Sequence, residues 1–284
     1  RGGRIDYPVV AAAKTTFGPV NLYAAWVDAT NGKVYFRERS GAGAWSVPLV
    51  IGSTTLRDRV DGYRGYANVA AVGNLITVAW VADAKGSLVA RAINLSGTSP
   101  TAATTRANWN APVVLGGRVS LRQGGYPVAS ASPLAPGVVT IAWNTPTKQV
   151  YTTFDGTAVS PTPTTIWVNG TANGIAYAGG YSTVVEPAPG GFVAIWAGCR
   201  NTSLRNDCNS RKVAARVDLL SASSPDGTVF TAPSLVALAT PKGQTLNDQP
   251  SIVATSAHVY VQYNGSTANF GRYDIFDRIG TGAP

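Results

Sequence analysis

The chain has 284 residues, with 23 lysines and arginines against 14 aspartates and glutamates and one histidine, a net charge of +9 with the histidine neutral. Hydrophobic residues make up 45% of it, enough to bury a full core, which excludes a disordered chain. Only 13% of residues are charged, while Gly (31) and Pro (18) punctuate the sequence throughout, the profile of many short strands joined by turns. No apolar stretch reaches the roughly 18 residues that a membrane helix needs, so no membrane span is expected.

Taken in chain order, the predicted elements form five similar units. Each unit opens with a short run: YPVVAAA from Tyr7, YANVAAV from Tyr66, YPVASAS from Tyr126, YSTVVEP from Tyr181 and QPSIVAT from Gln249. A second alternating run then closes on an aromatic residue, at Trp26, Trp80, Trp143, Trp196 and Tyr263, at spacings of 54, 63, 53 and 67 residues. A polar turn leads to a third run, KVYFRER (Lys33 to Arg39), SLVARAI (Ser87 to Ile93), QVYTTF (Gln149 to Phe154), KVAARVDL (Lys212 to Leu219) and FGRYDIF (Phe270 to Phe276). The fourth is AWSVPLVI, NWNAPVVL, TTIWVN or APSLVAL, and none follows Arg278 in the last unit. Either the N-terminal residues supply that strand or the chain is trimmed at one end.

No run of a dozen residues shows helical periodicity, and Gly or Pro interrupts nearly every window of that length. A four-stranded antiparallel unit buries both faces only by stacking on neighbours. The expected fold is therefore all-β, a five-bladed β-propeller of four-stranded antiparallel blades, read as a single domain over residues 1–284 with blades at about 1–56, 57–117, 118–172, 173–240 and 241–284. The tryptophans that close the second strands are expected to wedge between blades.

At these residues the sequence resembles the sialidase-like and lectin-like β-propellers. The turn Ser40-Gly41-Ala42-Gly43-Ala44-Trp45 looks like a worn Asp-box, of pattern S-x-D-x-G-x-x-W, without its Asp and with shortened spacing; Trp45-Ser46-Val47-Pro48 and Trp109-Asn110-Ala111-Pro112 share a Trp-x-x-Pro core. The resemblance implies architecture; activity belongs to sites grafted on the fold.

In a propeller, the loops leading into the innermost strand and those between the second and third strands open on one face, called the mouth below. These loops carry Arg4, Asp6, Arg59, Asp61, Tyr63, Arg64, Arg122, Tyr177 and Asp248, the expected ligand-binding residues, although loops are polar everywhere and a merely solvated surface is the competing reading. Arginine forks and tyrosine rings suit acidic or neutral sugars. A net charge of +9 favours acidic partners such as uronic-acid or sulfated polysaccharide. Nucleic acid is not expected, because the basic residues are scattered at one or two per loop.

Catalysis on glycans needs paired carboxylates. Glutamate occurs twice, at Glu38 in a third strand and Glu186 at the far end of an innermost strand, and neither is placed for the task. An aspartate pair, Asp6 with Asp61 or Asp248, is the remaining option; Asp6-Tyr7-Pro8 is faintly similar to the first-strand Asp of five-bladed arabinan-cleaving enzymes. With His258 alone, histidine triads and multi-histidine metal sites are excluded by count, and no metal or cofactor is expected.

Cys199 and Cys208, within CRNTSLRNDC, are read as a disulfide, which implies an oxidising compartment. The chain opens on Arg1 and has no methionine, consistent with a processed product or a piece of a longer polypeptide. The leading expectation is a secreted or cell-surface, non-catalytic carbohydrate-binding or adhesive module, with glycans and other cell-surface proteins as partners. Whether the chain is an enzyme stays open at this point, with the balance against it; if active, it is a glycoside hydrolase with an aspartate-based site at the mouth. A structural propeller within a larger assembly is the third reading.

Overall fold

The computed structural model describes residues 5–16, 18–58, 62–96, 100–121, 126–159, 162–200, 216–237, 246–266 and 273–281. Of residues 5–7, 58, 100, 101, 117, 180, 181, 246–249, 264–266 and 273–281 it describes the backbone alone.

The first sheet is an antiparallel meander of β1 (Ile5–Lys14), β2 (Val20–Asp28), β3 (Lys33–Ser40) and β4 (Leu49–Ser53). A two-stranded hairpin, β5 (Arg57–Asp58) and β6 (Gly62–Tyr63), follows it. The second sheet holds β7 (Asn68–Val72), β8 (Leu75–Val81), β9 (Ser87–Asn94) and β10 (Val113–Arg118), with two short 3-10 turns, Pro100–Thr104 and Arg106–Asn108, between its last two strands. The third is β11 (Val128–Ser130), β12 (Val139–Asn144), β13 (Lys148–Phe154) and β14 (Thr164–Val168).

The remaining strands share one sheet. They are β15 (Gly170–Ala172), β16 (Ile175–Ala188), β17 (Gly191–Arg200), β18 (Val217–Ser224), β19 (Ser234–Ala237), β20 (Leu246–Ala254), β21 (His258–Ser266) and β22 (Tyr273–Thr281). Here β16 to β19 repeat the four-strand meander and β20 to β22 a three-strand one; a single parallel pair, Val217 with Leu246, joins the two. Among the described residues no fourth strand follows β22, and Ile5–Lys14 pairs with β2.

By contact density the chain forms two compact units, residues 1–118, 129–141 and 152–162, and residues 119–128, 142–151 and 163–284. In the first, the period-2 alternation of β2 buries Tyr23, Ala25 and Val27 on one face, where they meet Val34 and Phe36 of β3, the second sheet's Val69, Ile76, Val78 and Trp80, and Trp109 from the connection before β10. Every residue of β8 is buried, since both its faces are covered. Trp80 lies against Gly52 of β4, where a Cβ would sit 2.5 Å from the indole, and its Nε1 donates to the Ser53 carbonyl at 3.0 Å. Its counterpart Trp26 is half-buried and stacks on Tyr35 at 5.5 Å.

In the second unit, Trp196 is fully buried and stacks on Trp167 at 5.8 Å, within a core of Tyr151, Ile166, Val185 and Leu220. A further cluster joins Val184, Ile195 and Leu219 to Ile252, Val259, Val261 and Tyr263.

Two recurring details position the surface. Every fourth strand starts directly after a proline: Pro48 before β4, Pro112 before β10, Pro163 before β14 and Pro233 before β19. The long innermost strands carry a register shift near their starts, between Asp6 and Val9 in β1, Gly179 and Thr183 in β16, and Asp248 and Ser251 in β20.

Candidate functional site

A β-bulge bends a strand and redirects the residue beside it. In β1 the bulge spans Tyr7-Pro8 and follows Asp6, the cross-strand partner of Val27. In β20 it spans Gln249-Pro250 and follows Asp248, the partner of Asn264. The two aspartates therefore hold one register position in an Asp-x-Pro repeat, where the sequence of the three intervening units has Gly65, Gly125 and Gly180.

Around the start of β1 the first unit gathers further chemistry. The β5–β6 hairpin is clamped to the turn that follows β2: the Tyr63 amide donates to the Ala29 carbonyl at 2.9 Å, and a Cβ at Gly62, whose φ is +87°, would collide with that same oxygen. The Tyr63 ring lies so close to Gly32 that a Cβ there would come within 2.8 Å of it. Past the hairpin, the Arg64 amide donates to the Leu56 carbonyl, the Val81 amide donates to the Gly65 carbonyl, and Gly65 packs on Val27. Thus Val27 is both the backbone partner of Asp6 and the floor beneath Gly65, so Asp6 starts its strand beside the residues that end the hairpin.

Two arginines, Arg57 in the hairpin and Arg64 just past it, each meet a tyrosine. The Arg57 guanidinium carbon lies 5.3 Å from the centroid of the Tyr63 ring, and Arg64 Nη1 donates to the Tyr66 hydroxyl at 3.4 Å. Tyr66 sits at φ +45°, a left-handed conformation unusual for a bulky residue and the kind of strain that collects at functional sites.

The carboxylates of the β2–β3 and β8–β9 turns serve structure. Asp28 accepts from the Thr30 amide and from Asn31 Nδ2, and Asp83 from the Lys85 and Ser87 amides. Burial alone would raise both pKa values, but these hydrogen bonds outweigh it and hold each carboxyl below its ordinary range. Both are turn-forming anions.

Among the expected site residues, Tyr63 and Arg64 thus come together beside the start of β1. Arg4, Arg59, Asp61 and Arg122 lie outside the described residues, and Asp6 and Asp248 are placed by backbone register. Tyr177 lies elsewhere, in the second unit. It is fully buried, and its hydroxyl donates to Asp218, a carboxylate that also receives Arg200 Nε at 2.8 Å and Nη2 at 3.0 Å. Burial, then the bond to Asp218, push the Tyr177 phenol well above its ordinary pKa, so it is a neutral donor that clasps β16 to β18. Cys199 is buried beside Arg200 and carries no free thiol; Cys208 lies outside the described residues.

Sequence reasoning missed the role of two third-strand arginines. Arg37 donates from Nε to the Ser46 carbonyl at 2.5 Å and from Nη2 to the Trp45 carbonyl at 3.3 Å. Arg91, buried, repeats this on Asn110 at 2.6 Å and Trp109 at 3.2 Å, and adds the Ile51 carbonyl at 2.8 Å. The signal lay in the pairing of an arginine strand with each Trp-x-x-Pro turn. The same turns identify Trp109 as core: it is buried, with Nε1 on the Ala103 carbonyl and its ring edge-on to Phe36.

No protein-family profile and no curated protein sequence matches the chain. Solved structures do. An α-L-arabinanase of Penicillium chrysogenum, complexed with arabinobiose, superposes with a TM-score of 0.54 at 14% identity over 96% of this chain and 80% of that one. An α-L-arabinofuranosidase of Fusarium graminearum, in complex with an iminosugar inhibitor, gives 0.53 at 12% identity over 94% and 78%. An exo-1,5-α-L-arabinanase from a bovine ruminal metagenomic library gives 0.52 at 11% identity over 95% and 91%. The chain has an all-β, β-propeller fold of antiparallel four-stranded sheets. The likeness is to glycosidase-type propellers, and not specifically to the sialidase-like ones. It also corrects the leading expectation of a non-catalytic carbohydrate-binding or adhesive module, since the solved structures that share the fold are mostly arabinofuranosidases and arabinanases.

Proposed function

We propose that this chain is an exported, five-bladed β-propeller glycoside hydrolase that binds a glycan at the mouth and cleaves it with aspartates. The observation that carries the reading is the fold shared with arabinanases and arabinofuranosidases, in four solved structures at TM-scores of 0.52 to 0.54. Export rests on the Cys199–Cys208 pair, read as a disulfide that closes a short polar loop.

Glycoside hydrolysis uses one carboxyl to protonate the leaving oxygen and a second to activate water or to attack the sugar carbon. With Asp28 and Asp83 engaged in their own turns, the candidates are Asp6, Asp61 and Asp248. The bulges after Asp6 and Asp248 support the reading, because such irregularities redirect side chains near active sites.

The test is release of reducing ends from arabino-oligosaccharides and a panel of neutral and acidic glycans, with Asp6→Asn, Asp61→Asn and Asp248→Asn in parallel. At least two of the three are expected to lower the rate by about 100-fold or more with unchanged thermal unfolding, the scale of a lost acid or base. No release from any glycan by the wild-type chain would overturn the hydrolase reading; activity surviving all three substitutions would overturn the aspartate assignment.

A further inference from the structure

Resting on that reading, we infer that the β5–β6 hairpin is a recognition element for a carboxylated sugar, so that the glycan taken at the mouth carries uronic-acid units. The argument starts from rigidity. Strand β6 is held by the Tyr63 amide on the Ala29 carbonyl, by the fit of Gly62 against that carbonyl and by the Tyr63 ring against Gly32, and β5 pairs with it, so Arg57 and Tyr63 stand on a fixed base.

Upon that base, Arg57 is exposed with its guanidinium over the Tyr63 ring, and the Arg64 guanidinium is tied to the Tyr66 hydroxyl. An exposed guanidinium held over a ring keeps N–H donors for a further partner, and the partner that matches two parallel N–H donors is a carboxylate. The strained Tyr66 backbone follows the hairpin, and Gly65 next to it rests on Val27, the cross-strand partner of Asp6. A glycan lying over the start of β1 therefore passes beside the residues that end the hairpin. The net charge of +9 adds a field of the right sign for an anionic chain.

The experiment is calorimetric titration with trigalacturonic acid, its carboxyl-reduced counterpart and a sulfated trisaccharide, at about 50 and about 300 mM salt. The wild-type protein is expected to bind the carboxylated trimer at least tenfold more tightly than the reduced one, with the gap narrowing at the higher salt. Arg57→Ala should close most of that gap while leaving affinity for the reduced trimer within twofold, and Arg57→Lys should retain only part of it, because a point charge replaces a fork.

Equal affinity for the two trimers, an unchanged gap in Arg57→Ala, absence of binding, or tighter binding of the sulfated trisaccharide would each overturn the inference. The two readings fail separately. Uronate binding that depends on Arg57 without any glycan cleavage leaves this inference standing and removes the hydrolase. Cleavage of neutral glycans with no preference for uronates does the reverse.

Discussion

Glu38 is a carboxyl in the wrong solvent. It is 5% exposed, accepts one hydrogen bond from Asn21 Nδ2 at 3.2 Å, and keeps its second oxygen without a hydrogen-bond partner; Tyr23 OH and Asn21 Oδ1, both buried, share that condition. Desolvation pushes its pKa up to about 7, against an ordinary 4.5. A carboxyl raised by folding stabilises the folded state fully below its unfolded pKa, and that contribution is lost as pH rises through its folded pKa. The window here is pH 4.5 to 7, over which the protein should lose about 3 kcal/mol to this group, at 1.4 kcal/mol per unit. Glu38→Gln should therefore be more stable than wild type by about 1–3 kcal/mol at pH 8 and gain nothing at pH 4. Urea unfolding across that range checks it, and parallel profiles for the two proteins would remove the assignment.

The elements divide by how their stability is encoded. Alternating strands such as VNLYAAWVD and KVYFRERS declare themselves, because a half-buried pleat demands a period of two, and the structure places β2 and β3 on them. The β5–β6 hairpin does not. Its sequence, RDRVDGYRGY, has no alternation, and its Asp61-Gly62 turn dipeptide alone does not say where the hairpin packs, since the contacts that hold it belong to Ala29, Gly32 and Val27, some 30 residues earlier. For that reason Tyr63 and Arg64 were legible as candidates, while their pairing with Tyr66 and Arg57 was not.

The fourth-unit third strand shows the opposite limit. It was expected over Lys212 to Leu219, of which 212–215 lie outside the described residues; β18 runs from Val217 on past Leu219 to Ser224, because its ladder with β17 continues through small residues to the pair Phe192 with Ser224. Backbone hydrogen bonds, not hydrophobicity, set that end. Gly62→Ala probes the hairpin at this scale. With φ at +87° and the Ala29 oxygen in the way, the new Cβ should detach the hairpin and cost about 1–3 kcal/mol. The melting temperature should fall by only a few degrees, whereas affinity for trigalacturonic acid should drop at least as far as in Arg57→Ala. Unchanged affinity would show that the hairpin does not present the binding surface.

Across the whole molecule, the repeat of a strand module leaves sheet edges, and each module treats its edge alike. Three of the four described outermost strands show apolar side chains to solvent, with Val114 at 70%, Val168 at 58% and Leu235 at 40% exposure. Such edges are templates for pairing with another chain. The prolines that precede them deny an incoming strand its first backbone donor and keep the edge short. A molecule built this way resists sticking to its own copies, so its colloidal behaviour is written into four residues that touch no ligand. Pro112→Val, which extends the run to Val-Val-Val-Leu, should leave the melting temperature nearly unchanged and yet produce growing light scattering when the protein is concentrated and warmed below its melting point. Clear solutions at matched concentration would mean that the edges are guarded by other means.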